Sequence, residues 1–285
     1  MNALNGAATA AFDALLWPLE RLGVAWSLIL VSGVFGVLAL FLFKHVSAQR
    51  RIRATKDRIK GHLIEIRIWQ DDLAIVAKAT GKVLLRNAQY LGLNLLPFVP
   101  LSIPFVFVLA QLVVRYAYQP LRLVEPQTEL LAGEGTTLEI VLAEASAART
   151  QDLRVNVPAG LEAVSPLVRV PSEGRAFQEF VARQSGEYEL VIEIPGLASV
   201  TKRVAAGDAT PRTLQPLRGS SFLDAWLWPA EPAFESGSPF ASISIAYPDR
   251  ELGWLPGGAG GIVITFLLAS MLFGALAIKP LKVAI

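Results

Sequence analysis

The chain has no cysteine among its 285 residues, so it cannot build a disulfide framework, a zinc–thiolate site or a cysteine nucleophile. Histidine is nearly absent too. His45 and His62 are the only two, and they do not complete a two-histidine metal motif. Neither a P-loop nor a GxSxG nucleophile elbow occurs. The glycine run GGAGG at 257–261 leads straight into an apolar stretch, where close helix packing explains it better than phosphate binding. Carboxylates are scattered, and Asp71-Asp72 reads as a turn or a helix start rather than a metal site. The expectation is a protein that is not an enzyme and has no catalytic, metal or cofactor site.

Charge is the other scarcity. Only 18% of residues are charged and 53% are hydrophobic, where soluble domains carry about 25% charge. The shortage is local: the runs 22–43, 91–114 and 257–278 contain no Asp, Glu, Lys or Arg. A hydrocarbon core about 30 Å thick needs roughly 20 apolar residues as a helix, so each run is predicted to span a membrane. The first is expected to be a span rather than a signal peptide. It follows a segment with Asp13 and Glu20 and no basic n-region, and it exceeds the roughly 7–15 residues of a signal core.

The charges that are present are sorted. Segment 44–90 carries eleven Lys and Arg against four carboxylates, whereas 121–254 carries eleven against eighteen. Basic loops stay in the cytoplasm. The predicted layout is an amphipathic N-terminal segment at 1–21, spans at 22–43, 91–115 and 257–278, a basic cytoplasmic helical hairpin at 44–90, an extracytoplasmic domain at 116–256 and a cytoplasmic tail at 279–285. The N-terminus is placed outside and the C-terminus inside, with a bacterial inner membrane as the expected location.

Segment 46–90 has no proline, and Ile52, Ile59, Ile66 and Leu73 recur every seven residues, with Leu63 and Val76 on the same stripe. This pattern fits a hairpin with arms near 46–69 and 73–90, or one continuous helix. Its basic residues, chiefly Arg50, Arg51, Arg53, Lys56 and Lys60, suit a solvated face beside anionic lipid headgroups. They equally suit docking on a polyanion such as ribosomal RNA.

Beyond the second span the periodicity switches to two. TTLEIVLAE (136–144), DLRVNV (152–157), RAFQEFVAR (175–183), GEYELVIEI (186–194), ASVTKRV (198–204) and ASISIAY (241–247) alternate polar and apolar residues between Gly, Pro and Ser clusters. The prediction is an all-β, Ig-like sandwich carried by an α-helical membrane protein. Gly186-Glu187-Tyr188 has the look of a tyrosine corner. Stretch 206–240, rich in Pro, Gly and Ser, reads as an irregular excursion with an apolar patch at Phe222, Trp226, Leu227 and Trp228. Trp254, Tyr116 and Tyr118 suit an interfacial aromatic belt.

Polar residues within the spans need partners in hydrocarbon. Ser32, Asn94, Ser102 and Thr265 are read either as helix–helix hydrogen bonders or as the lining of a polar groove. Pro97, Pro100 and Pro104 break the ladder of the second span, which fits a cavity.

Three stretches then carry a family resemblance. LLWPLERLGVAWSLILV (15–31) is similar to the amphipathic entry into a first span, and FKHVSAQRRIRATKDRIKGHLIEI (43–66) to a basic coiled coil. LGLNLLPFVPLSIPFVFVLAQ (91–111), through Asn94, Pro97, Pro100, Pro104 and Phe105, is similar to a proline-rich second span. The order resembles the YidC/Oxa/Get insertase superfamily, especially its minimal three-span relatives, over about residues 14–115 and the last span. The resemblance implies a membrane-protein biogenesis factor without nucleotide or covalent chemistry. Its partners would be membrane lipids, nascent membrane proteins or the ribosome. The domain at 116–256 has no counterpart in the minimal relatives. A second expectation is therefore a non-enzymatic envelope scaffold or signal-coupling protein, whose β-domain binds an extracytoplasmic protein or glycan. Neither reading involves DNA.

Overall fold

The computed structural model describes residues 2–125 and 135–283. Residues 1, 126–134 and 284–285, assigned above to the N-terminal segment, the β-domain and the tail, lie outside the described residues. The helices are α1 (Asn2–Glu20), α2 (Val24–Val46), α3 (Gln49–Ile68), α4 (Leu73–Leu95), α5 (Phe98–Tyr116), α6 (Phe222–Leu227) and α7 (Gly258–Leu281). Among the described residues three helical stretches are long and apolar enough to cross a membrane: Val24–Val46, Leu73–Tyr116 and Gly258–Leu281. The protein is therefore a membrane protein with a β-sheet region. The chain forms two compact units, Met1–Leu28 with Phe107–Thr265, and Ile29–Val106 with Phe266–Ile285.

In the first unit the strands are β1 (Thr136–Leu142), β2 (Arg154–Asn156), β3 (Leu161–Ala163), β4 (Val168–Val170), β5 (Arg175–Ala182), β6 (Gly186–Ile194), β7 (Ala198–Ala206), β8 (Leu217–Gly219) and β9 (Phe240–Ile245). One sheet runs β3-β5-β1-β9-β8, with β4 also paired to β5, and the other runs β2-β6-β7. Every strand pairing is antiparallel. All six alternating segments of the sequence become strands, because period-two patterning aims one residue set inward. Leu138 and Ile140 of β1, Phe180 of β5, Leu190 and Ile192 of β6, Val204 of β7 and Ile243 of β9 share one buried core. Each such side chain contributes about 1.5–3 kcal/mol when fully buried. The excursion 206–240 is more ordered than its composition suggests. It supplies β8 to the larger sheet and α6, whose capping box joins Ser221 and Asp224.

The tyrosine after the 184–186 turn closes that corner. Tyr188 Oη donates to the Gln184 carbonyl at 2.9 Å. Gly160 lies beneath the ring at φ +104°, and a Cβ there would come within 2.7 Å of the phenol carbon Cζ. Gly160→Ala therefore meets both an unfavourable backbone and the ring. We expect a loss of about 1–3 kcal/mol, read as faster amide exchange in β6.

In the second unit, α3 and α4 pack side by side across the turn at 69–72, and the single continuous helix is ruled out. Asp72 caps α4, its Oδ1 accepting from Ala74 N at 2.9 Å and Ile75 N at 3.1 Å. The helix breaks at 96–97, between the end of α4 at Leu95 and the start of α5 at Phe98, because Pro97 has no N–H to donate to the Leu93 carbonyl. Pro100 likewise leaves Leu96 O to Val99 N, at 3.3 Å. Gly33 and Gly36 of α2 meet α7 closely. A Cβ on Gly33 would lie 2.8 Å from the Phe273 ring, and one on Gly36 would overlap the Ser270 carbonyl. Phe35, Phe105 and Phe266 form a ring cluster with centroids 5.0–5.9 Å apart.

Candidate functional site

The helical pair is held by a thin apolar seam and a polar clasp. Ile52, Thr55 and Ala79 are buried. Glu65 of α3 meets His62 Nδ1 at 3.0 Å and Lys82 Nζ of α4 at 3.3 Å. The hydrogen bond from His62, then that from Lys82, holds the Glu65 carboxyl below the usual carboxylate range. The heptad stripe divides. Ile52 is buried and Ile59 and Ile66 are half-buried, whereas Leu63 and Leu73 are exposed. The turn end of the pair thus presents Leu63, Ile64, Ile68, Trp69 and Leu73 outward, Trp69 at 54% and Leu73 at 82% exposure. Arg50, Arg51, Arg53, Lys56 and Lys60 are all exposed on α3, and Lys60 pairs loosely with Asp57 at 3.9 Å.

The four groove candidates occupy different settings. Ser32 is fully buried on α2. Asn94 is half-buried near the end of α4, and its Nδ2 donates to the Tyr90 carbonyl at 2.8 Å. Its Oδ1 is buried without a hydrogen-bond partner. Ser102 is exposed on α5 and donates to the Val99 carbonyl at 2.7 Å. Both side chains thus return to their own helices. Thr265 belongs to the other compact unit, buried there with Oγ1 unpartnered.

Two polar clusters in the first unit escape a sequence reading. Arg115, one residue before the end of α5, is buried. Its guanidinium donates to Asp13 Oδ1 at 2.7 Å, to Thr9 O at 2.8 Å and to Gln111 O at 3.0 Å. The charge is thereby fully dressed, as a buried charge must be. Asn5 Nδ2 donates to Ala225 O at 2.6 Å and Asn2 exchanges bonds with Ala233, so α1 is clamped along the excursion as well. The second cluster is Lys202 on β7, with Nζ 2.6 Å from Glu231 Oε1 and also donating to Gln215 O. Glu231 and Gln215 border a polar cavity of about 510 Å³ that is also lined by Thr9, Asp13, Glu187 and Arg203. The available signals were Asp13, one of two carboxylates in α1, and a lysine on the inward phase of an alternating strand. Neither names its partner. Among the described residues no three His, Asp or Glu gather as a metal-binding set. Compared with protein-family models, curated proteins and solved structures, the chain matches none.

Proposed function

We propose that this chain is an insertase-like membrane-protein biogenesis factor, related to the YidC/Oxa/Get superfamily, in which α3 and α4 form a cytoplasmic receiving hairpin. The observation that carries the reading is the turn end of that pair. It holds an apolar cluster in solvent, at Ile68, Trp69 and Leu73, while the first three turns of α3 carry an exposed basic face. Exposed apolar clusters of this kind mark contact with another apolar body. A nascent membrane segment offers such a body, and ribosomal RNA offers phosphates for Arg50, Arg51, Arg53, Lys56 and Lys60. From the hairpin the chain passes directly into the second span, where Asn94, Ser102 and the proline-interrupted backbone lower the cost of a polar segment entering the bilayer. Ser32 and Thr265 complete the polar inventory in this reading. In this reading the hairpin and C-terminus are cytoplasmic, which the charge asymmetry supports, and the two-sheet domain is an Ig-like sandwich outside a bacterial inner membrane.

The alternative, an envelope scaffold or signal-coupling protein, draws on a different observation. The polar cavity beside α1 and β7 is large enough for a peptide or sugar. In-cell photocrosslinking separates the two. Probes at 69 and 94 are expected to capture newly made membrane proteins, and a probe at 188 is not. Silence at 69 and 94, with one folded partner captured at 188, would overturn the insertase reading in favour of the scaffold.

A further inference from the structure

A second cavity, of about 220 Å³, lies in the first unit at the level where the candidate spans end. Its wall includes Val24, the first residue of one span, and Arg115 and Tyr116, the last two of another. Trp26 and Trp254, both exposed, have ring centroids 6.2 Å apart. Exposed tryptophans at span ends mark the headgroup layer. The cavity is therefore at headgroup depth.

Its chemistry suits an anion. Three guanidiniums, of Arg115, Arg212 and Arg250, face two carboxylates, of Asp13 and Glu20. Arg115 is spent on Asp13, Thr9 and Gln111. Glu20 is engaged by the Tyr116 hydroxyl at 3.2 Å. Arg212 reaches Asp13 only at 3.5 Å, with its side chain 70% exposed. Arg250 donates once, to the Arg115 carbonyl at 3.3 Å. A guanidinium carries five N–H donors in a fork that matches phosphate oxygens, so both arginines keep donors to spare. The surplus is one positive charge, the complement of one phosphodiester. Trp17 supplies an apolar wall, and Arg21 lies over its ring at 4.3 Å.

We propose that this cavity binds a phosphate ester, presented at that depth by the headgroup of an anionic phospholipid on the β-domain side of the membrane. The site is independent of the insertase reading and lies in a different part of the chain from the hairpin.

The test uses the full chain purified in neutral detergent, with bound lipid counted by native mass spectrometry. Phosphatidylglycerol is expected to be retained over phosphatidylcholine. Arg212→Gln with Arg250→Gln should weaken its retention at least tenfold, the scale of a lost charge-assisted hydrogen bond. Arg212→Gln alone, at an exposed side chain that leaves the fold intact, should give a smaller loss in the same direction. Equal retention of the two lipids, or unchanged retention in both variants, overturns the proposal. Glycerol 3-phosphate is the soluble arm. Displacement of phosphatidylglycerol only at large excess supports the lipid source, and displacement at equal concentration overturns it in favour of a soluble ester.

Discussion

Lys202→Met is expected to destabilise the β-domain by about 3–5 kcal/mol, and Lys202→Met combined with Glu231→Leu to recover most of that loss. The ammonium is completely buried, and burial pushes its pKa below the usual lysine value. It stays in place because Glu231 Oε1 lies 2.6 Å away. Removing the lysine alone strands a buried carboxylate, whereas removing both leaves an apolar gap that Met and Leu fill. The junction extends further. Gln215 Oε1 accepts from Ala230 N at 2.7 Å and Glu231 N at 2.8 Å, so the pair pins the 206–240 excursion to β7. Amide exchange of β6 and β7 in the detergent-solubilised chain reads the loss. A single variant costing no more than the double would show that the pair is not coupled.

Gly36→Leu is expected to cost about 1–3 kcal/mol of helix–helix stability, the scale of overpacking a filled contact. The Cβ alone overlaps backbone of α7, so no rotamer relieves it. Glycines in membrane helices allow such approach, and dispersion between the close backbones holds the pair. The control is Gly61→Leu on α3, where a Cβ would meet nothing within 4 Å. There leucine removes a glycine from a helix interior and should stabilise by up to about 1 kcal/mol. Unfolding of the solubilised chain in rising denaturant measures both, and equal effects would discredit the close contact.

The parts of the fold that were legible follow from short-range rules. Apolar runs of span length, the Asp71-Asp72 turn and the six alternating strands each depend on a periodicity or a cap that a few neighbouring residues define. The parts that were not legible depend on partners far along the chain. The heptad stripe predicted Leu63 and Leu73 beside Ile52, but burial follows only Ile52, Ile59 and Ile66, and those two leucines are left in solvent. The excursion looked irregular because β8 is three residues long and exists only by pairing with β9. Ser32, Asn94, Ser102 and Thr265 were legible as polar residues in apolar runs, but which way each one turns was not.

By itself the sequence determined what this chain must do with its backbone in each solvent. Uncharged runs of about 20 residues have to be helical in a bilayer, and period-two segments have to give one face to a core. Only the tertiary structure decided where the charges within those elements go. Asp13 and Arg115 are 102 positions apart, and Lys202 and Glu231 are 29 apart. A charge buried with its partner and a charge left in water read identically along the chain. The desolvation that separates them is a property of the packed environment and not of the residue.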